Sequence, residues 1–182
     1  MPWFHRELDH DLAAALDELG IEGGDVLDLG AGPGTQAVAL AKRGFRVTAA
    51  DISAAAVRKA AELAGAEGVD VRFAVDDICG SSLCGPFDMV FDRGCFHVIA
   101  PDDRPVYVRT VRRLLRPRGL LFLKTFSTAE TTVEGGPYRF TAEMIRDIFE
   151  GSLEVLSVRE SSFRGTLDHE PLALFCILER PA

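Results

Sequence analysis

The chain has 182 residues, of which 47 % are hydrophobic and 26 % are charged, and its formal net charge is −8. This length suits one domain with a buried core rather than two domains. The negative charge argues against non-specific binding to nucleic acid or to an anionic membrane surface, because both need a basic field. The longest apolar run, residues 172–178, is far shorter than the roughly 20 residues that a membrane span needs.

The first residues carry no apolar stretch of the kind that a secretory signal contains, so we expect a cytoplasmic protein. The four cysteines form no C-x-x-C pair and have no histidine at metal-ligand spacing. We therefore expect reduced, mostly buried thiols and no metal site.

Short apolar runs alternate with amphipathic patterns along the whole chain. The spacing predicts helices over residues 6–19, 35–43, 54–64, 102–116 and 141–149, and strands over 26–29, 46–50, 69–75, 87–91, 120–126, 153–158 and 172–178. This alternation predicts an α/β fold with a doubly wound, Rossmann-like, mostly parallel seven-stranded sheet and helices on both faces. The last two strands are joined by only 13 residues without a helical pattern, so we expect the final strand to be antiparallel.

A glycine-rich turn with the sequence D-L-G-A-G-P-G follows the first predicted strand, at residues 28–34. In an open α/β sheet the ligand lies at the carboxyl ends of the strands, where such a turn meets its helix. The glycines let the backbone bend sharply and bring its N–H groups close to a ligand. Asp51, at the end of the second predicted strand, is placed to accept hydrogen bonds from a ribose. The turn and the acid together predict nucleoside binding.

Two further residues favour S-adenosylmethionine over a dinucleotide. A dinucleotide turn has a third glycine at the position that Thr35 occupies here. Asp28, before the first glycine, suits a cationic amine and would repel a pyrophosphate. Three alternatives stay open from the residues alone: a nicotinamide-dependent oxidoreductase, a non-catalytic S-adenosylmethionine-binding module, and a tight turn without a ligand.

The motif D-L-G-A-G-P-G, followed by A-A-D-I-S at 49–53 and V-D-D-I at 75–78, resembles the class I S-adenosylmethionine-dependent methyltransferases. The resemblance covers nearly the whole chain and rests on the three motifs together. It implies methyl transfer from S-adenosylmethionine, with S-adenosylhomocysteine as the product. The turn residues implied to bind the cofactor are Asp28, Gly30, Ala31, Gly32 and Gly34.

The same resemblance assigns two acid–hydrophobe pairs to the adenosine. Asp51 and Ile52 would take the ribose hydroxyls and one adenine face, and Asp77 and Ile78 would hold the adenine. Asp76 is the competing candidate for the second acid. We prefer Asp77 because the acid of the family directly precedes the hydrophobe.

A narrower resemblance covers residues 91–107, which read F-D-R-G-C-F-H-V-I-A-P-D-D-R-P-V-Y. This stretch is similar to the thiopurine, thiol and tellurite methyltransferases in its D-R-G triplet at 92–94, its P-D-D-R run and Tyr107. It departs from the thiopurine enzymes in lacking their long insertions and in carrying C-F-H at 95–97. The resemblance implies a small-molecule acceptor with a thiol or chalcogen nucleophile.

Arg93 and His97 are the candidate catalytic residues, because both follow the fourth predicted strand at the ligand-binding edge. His97 is either a general base or a core histidine bonded to a carbonyl. Arg93 either holds the methionine carboxylate or an anionic substrate, or pairs with Asp92 or Asp103. We expect Lys124 to be exposed at the edge of the sheet.

Two segments are candidate lids in this single domain spanning 1–182. The start of the N-terminal region 1–22 reads W-F-H at residues 3–5 and is a candidate cofactor lid. The loop at 127–140 leaves the fifth predicted strand and is a candidate substrate lid. Cys95 is predicted to be a packing residue, since methyl transfer needs no covalent enzyme intermediate.

Overall fold

The computed structural model describes residues 6–132, 135–166 and 168–182. The helices are α1 (His10–Glu18), α2 (Thr35–Lys42), α3 (Ala54–Glu67), α4 (Arg104–Leu114) and α5 (Ala142–Phe149). The strands are β1 (Asp25–Leu29), β2 (Arg46–Asp51), β3 (Val71–Val75), β4 (Phe87–Arg93), β5 (Leu115–Ser127), β6 (Arg139–Phe140), β7 (Glu154–Ser162) and β8 (Leu172–Glu179). None of these helices has the length and apolar composition needed to span a bilayer.

The strands form one sheet in the order β3-β2-β1-β4-β5-β8-β7, and the short β6 pairs with the end of β5. The pairs among β1 to β5 are parallel, whereas β8 is antiparallel to both of its neighbours. The predicted Rossmann-like, mostly parallel sheet with an antiparallel final strand is confirmed. Because β1 lies beside β4 as well as β2, the strand order reverses at β1, and this is where such folds bind ligands.

Several predicted boundaries are wrong, among them the starts of α1, α4 and β5. Helix α1 begins at His10 instead of residue 6, because the Asp9 carboxylate accepts the Asp11 N–H at 3.1 Å and caps the helix. Residues 101–103 form a separate 3₁₀ turn before α4. Strand β5 starts at Leu115 instead of residue 120, because Leu115 already pairs with Phe87 of β4.

The core lies on both faces of the sheet, as expected for a doubly wound fold. Successive residues of β4 alternate between the two sides: Val90 belongs to one apolar cluster and Phe91 to the other. All four cysteines are free thiols, but only Cys176 is fully buried. The expectation of mostly buried thiols is therefore wrong, since Cys84 is exposed and the remaining two are partly buried.

Candidate functional site

The glycine turn joins the end of β1 to α2 at the point where the strand order reverses. Gly30, Gly32 and Gly34 have φ values of 69°, 53° and 81°, in the left-handed region. A Cβ added at Gly34 would lie 2.6 Å from the Cβ of Ala60, so this glycine lets α2 and α3 approach closely. At Gly32 the nearest atom to an added Cβ would be the Gly30 carbonyl oxygen, at 4.0 Å. The space beside Gly32 is therefore open to a ligand.

The Asp51 carboxylate lies against this turn, at the end of β2. Its Oδ2 accepts the Gly32 N–H at 2.9 Å, and its Oδ1 accepts the Ser53 N–H at 2.8 Å. The next side chain, Ile52, is 69 % exposed. An acid fixed beside an open glycine backbone and followed by an uncovered aliphatic side chain suits a ribose and the face of a base.

The acids that follow β3 lie beside Asp51, since the Asp76 N–H donates to the Asp51 carbonyl at 3.1 Å. Asp77 is exposed and caps a 3₁₀ turn by accepting the Cys79 N–H at 2.9 Å. Asp76 is partly buried and accepts the Ser82 N–H at 3.0 Å. The Ile78 side chain is buried in the core, so its backbone is the part that can meet an adenine.

Asp28 is the buried acid of the site, at 2 % exposure. Burial raises the pKa of this carboxyl to about 7, a hydrogen bond from the Ala37 backbone opposes the shift, and the neighbouring Asp92 adds to it. Its Oδ2 has no hydrogen-bond partner among the described residues. A buried carboxylate oxygen without a partner fits a cationic donor. These residues therefore fit S-adenosylmethionine, with its ammonium at Asp28 and its adenosine at Asp51, Ile52 and Asp77.

Asp92 organises the backbone that follows β4. This fully buried carboxylate accepts the N–H groups of Gly94 at 3.0 Å and Cys95 at 2.7 Å, and the Tyr107 hydroxyl at 2.6 Å. Burial raises the Asp92 pKa to about 6, and the Tyr107 hydrogen bond opposes that shift. Asp92 and Tyr107 both belong to the stretch 91–107 that carries the narrower resemblance. Their hydrogen bonds stabilise the turn that follows β4.

We predict that Tyr107→Phe lowers the free energy of unfolding by about 1–3 kcal/mol, because it removes a donor from a buried charged acceptor. The affinity for S-adenosylhomocysteine should stay within about twofold, because the N–H groups of Gly94, Cys95 and Phe96 still donate to Asp92 and keep the turn in place. Denaturant unfolding and calorimetric titration measure the two quantities. An unchanged stability would contradict the structural role of this hydrogen bond.

Arg93 pairs with an acid that the sequence did not suggest. Its Nε donates to Asp9 Oδ2 at 2.9 Å and its terminal nitrogen donates to the Arg164 carbonyl at 2.6 Å, so the predicted pairing with Asp92 or Asp103 is replaced by Asp9. The expectation for Lys124 is wrong: it is fully buried and donates to both Asp9 oxygens, at 2.9 and 3.1 Å.

His97 lies in an aromatic cluster beyond the end of β4 and beside the last residues of β5. Its ring stacks on Phe126 with 4.8 Å between centroids and meets the edge of Phe163 at 5.6 Å. Burial, aided by the positive charge of Arg93, lowers the His97 pKa to about 4. Nδ1 is buried without a hydrogen-bond partner in the described part of the chain. The imidazole is therefore neutral near pH 7.

Three further predictions concern the two candidate lids and the Cys95 thiol. The candidate cofactor lid at 3–5 lies outside the described residues. The described ends of the 127–140 loop are attached: Glu130 accepts the Leu172 N–H at 2.7 Å, and Tyr138 N–H donates to the His97 carbonyl at 2.8 Å. Burial raises the pKa of the Cys95 thiol well above its usual value, so it stays protonated.

Comparisons with known proteins point to one family. The sequence profile of a family described as "Methyltransferase domain" matches residues 26–119. An uncharacterized methyltransferase of Schizosaccharomyces pombe is 34 % identical over 113 residues, which are 62 % of this chain and 78 % of that protein.

Two solved structures share the fold. A protein studied for the conversion of a disulfide bond into a thioacetal group during echinomycin biosynthesis superposes with a TM-score of 0.86, at 25 % identity, over 100 % of this chain and 86 % of that chain. The 1,6-didemethyltoxoflavin-N1-methyltransferase of Burkholderia thailandensis, solved with S-adenosylhomocysteine, superposes with a TM-score of 0.74 at 24 % identity, over 93 % and 76 % of the two chains.

Proposed function

Because the chain belongs to the methyltransferase-domain family, whose profile spans residues 26–119, we propose that it transfers the methyl group of S-adenosylmethionine to a sulfur nucleophile of a small molecule. The enzyme class and the cofactor follow from the family. The nicotinamide-dependent alternative and the ligand-free turn are therefore set aside. The choice of sulfur and the roles of individual residues are the proposal.

In this proposal, the cofactor lies along the carboxyl edge of β1, β2 and β3. The Asp28 carboxylate receives the ammonium, Asp51 receives the ribose hydroxyls, and Ile52 covers one face of the adenine. When bound, the cofactor supplies an electrophilic methyl group on a sulfonium. The chain supplies alignment, which can provide most of the acceleration of an in-line displacement.

The neutral imidazole of His97 supports the choice of acceptor. A group with a pKa of about 4 is a poor base for an alcohol or a phenol at pH 7, because catalytic bases work best near the operating pH. A thiol supplies its own thiolate in that range and needs little help from a base. In the proposal His97 and Phe126 line the acceptor side, and neither removes a proton. Arg93 acts through Asp9 instead of binding substrate directly.

One relative adds independent support for sulfur chemistry. The protein that superposes over the whole chain at 25 % identity was solved in work on the conversion of a disulfide bond into a thioacetal group. The narrower resemblance over residues 91–107 gives less support. Its Asp92 and Tyr107 are explained by the hydrogen bond between them, which any acceptor would permit.

An acceptor panel tests the proposal. The wild-type enzyme is incubated with S-adenosylmethionine and a series of thiols, amines and phenols, and the release of S-adenosylhomocysteine is measured. We expect turnover with thiols, with a rate that rises with pH through the pKa of the thiol. Turnover confined to amines or phenols would refute a sulfur acceptor. Cofactor binding without turnover of any acceptor would favour the non-catalytic module.

We predict that His97→Gln changes kcat/KM for a thiol by less than about tenfold, because the imidazole is not the base. The loss of a true general base costs about 100- to 10,000-fold. The control is His169→Gln, which changes an exposed histidine bonded to Thr132. Initial rates at pH 7 show whether His97 acts as a general base. A loss of more than 100-fold in folded His97→Gln would assign His97 as the base.

A further inference from the structure

A short segment before α1, residues Glu7–Asp9, lies across the site and is here called the docking segment. Gln36, the second residue of α2 after the glycine turn, attaches it: the Asp9 N–H donates to Gln36 Oε1 at 2.8 Å, and Gln36 Nε2 donates to the Glu7 carbonyl at 3.0 Å. Two hydrogen bonds from one amide thus fix the backbone of the docking segment beside the first turn of α2.

The side chain of Asp9 attaches the same segment to two strands. It is 1 % exposed and accepts from Arg93 at the end of β4 and from Lys124 near the end of β5. These partners are 84 and 115 residues away in the sequence. Asp9 therefore ties the docking segment to the carboxyl edge of the sheet, where cofactor and acceptor must meet.

The network continues towards β7 through Asp11. The Lys124 Nζ donates to Asp11 Oδ2 at 2.7 Å, and the Ser161 hydroxyl donates to the same oxygen. The Phe163 ring lies 5.4 Å from the Arg93 guanidinium carbon and 5.7 Å from the Lys124 Nζ. The same ring contacts His97 on the acceptor side, so the ion pairs adjoin both halves of the site.

Two properties separate this network from ordinary stabilising contacts. Lys124 has no exposed surface, and a buried ion pair adds little net stability because desolvation offsets the attraction. Asp9 would also cap α1 adequately as asparagine, so capping alone does not require a charge. Neither net stability nor helix capping therefore accounts for these charges.

We propose that Asp9 is a positioning residue, held by Arg93 and Lys124, that fixes the docking segment beside the glycine turn and thereby sets the affinity for the cofactor. This inference rests on the proposed function, because it takes the glycine turn as the cofactor site. Arg93, in this view, acts through Asp9 and does not bind the methionine carboxylate.

The variant Asp9→Asn tests the proposal, because asparagine keeps the helix cap and removes the charge. We expect the dissociation constant for S-adenosylhomocysteine to rise at least tenfold. Calorimetry measures it at a temperature well below the melting temperature of the variant. The matched control is Asp17→Asn. Asp17 lies in α1, and its mostly exposed carboxylate pairs with Arg43 at the end of α2. This substitution should leave the dissociation constant unchanged.

A double variant separates positioning from stability. In Asp9→Asn, Lys124 and Arg93 lose a buried counter-charge, so the melting temperature falls. Adding Lys124→Met removes one of those cations and should restore part of the melting temperature, while the dissociation constant stays raised. A purely structural role would make the affinity recover with the stability.

Two results would overturn the proposal. An unchanged dissociation constant in folded Asp9→Asn would show that the ion pairs do not act on the cofactor. Tighter binding would show that Asp9 competes with the cofactor carboxylate for Arg93. If Asp9→Asn does not fold, the dissociation constant of the double variant decides: a raised constant supports the proposal, and an unchanged constant overturns it. Failure of the wild type to bind S-adenosylhomocysteine would instead refute the cofactor site itself.

Discussion

Replacing Asp28 by asparagine should weaken cofactor binding and, at the same time, make the cofactor-free protein more stable. The variant keeps the acceptor for the Ala37 N–H but loses the charge that we assign to the ammonium. A hydrogen bond to a charged group contributes about 1.5–3 kcal/mol. The dissociation constant for S-adenosylhomocysteine should therefore rise by roughly 10- to 150-fold.

The gain in stability follows from the direction of the pKa shift. The Asp28 pKa is raised from 3.8 to about 7 in the folded protein, so between these values the folded state holds a proton that the unfolded state has released. Wild-type stability contributed by this group is therefore present below pH 4 and is lost as the pH rises to about 7. An asparagine side chain has no such proton to lose, and the Asp28→Asn variant should be more stable at pH 8 by on the order of 3 kcal/mol.

Unfolding by denaturant at pH 5 and pH 8 measures this difference in the absence of cofactor. The control is Asp25→Asn, which changes the acid at the other end of β1. Its pKa is lowered by the Arg46 hydrogen bond, so that substitution should bring no gain at pH 8. Equal stabilities of wild type and Asp28→Asn at pH 8 would contradict a buried, destabilising carboxylate.

Replacing Asp51 by alanine should weaken cofactor affinity by a similar amount. If both ribose hydroxyls bind this carboxylate, their loss costs about 1.5–3 kcal/mol, or roughly a 10- to 150-fold rise in the dissociation constant for S-adenosylhomocysteine. The structure adds a second reason, because Asp51 also accepts the Gly32 and Ser53 N–H groups and so holds the glycine turn in its open shape.

Calorimetric titration of Asp51→Ala measures this loss. Asp70→Ala is the matched control, because Asp70 is an exposed acid directly before β3, at the opposite edge of the sheet. If folded Asp51→Ala has a dissociation constant within twofold of wild type, the assignment of the ribose hydroxyls to Asp51 is contradicted. In that case the acids at Asp76 and Asp77 would be the next candidates.

The placement of the residues that we assign to the cofactor could be predicted because its determinants are local. The glycines, Asp28 and Asp51 lie at fixed distances from predicted strand ends, and parallel strands bring their carboxyl ends to one edge. The structure places Asp51 in contact with Gly32 as that reasoning requires. The raised pKa of Asp28 could not be predicted in the same way, because it depends on burial by surrounding elements.

The contacts of Asp9, Lys124 and Tyr107 could not be predicted because they join distant parts of the chain. The pairing of Lys124 with Asp9 spans 115 residues, and neither residue stands in a pattern that marks it as buried. Lys124 occupies a position in β5 where an exposed lysine would be the ordinary expectation. The hydrogen bond from Tyr107 to Asp92 spans 15 residues. It gives a structural role to two residues of the motif from which the sequence predicts a thiol or chalcogen acceptor.

Titration of the wild-type protein with S-adenosylhomocysteine tests the cofactor site most directly. We expect one molecule to bind per chain, with an affinity that rises as the pH increases towards 7 and then levels off, because the carboxylate form of Asp28 binds the ammonium. Binding of NAD in preference to S-adenosylhomocysteine, or no binding of S-adenosylhomocysteine at all, would contradict the assignment of the glycine turn.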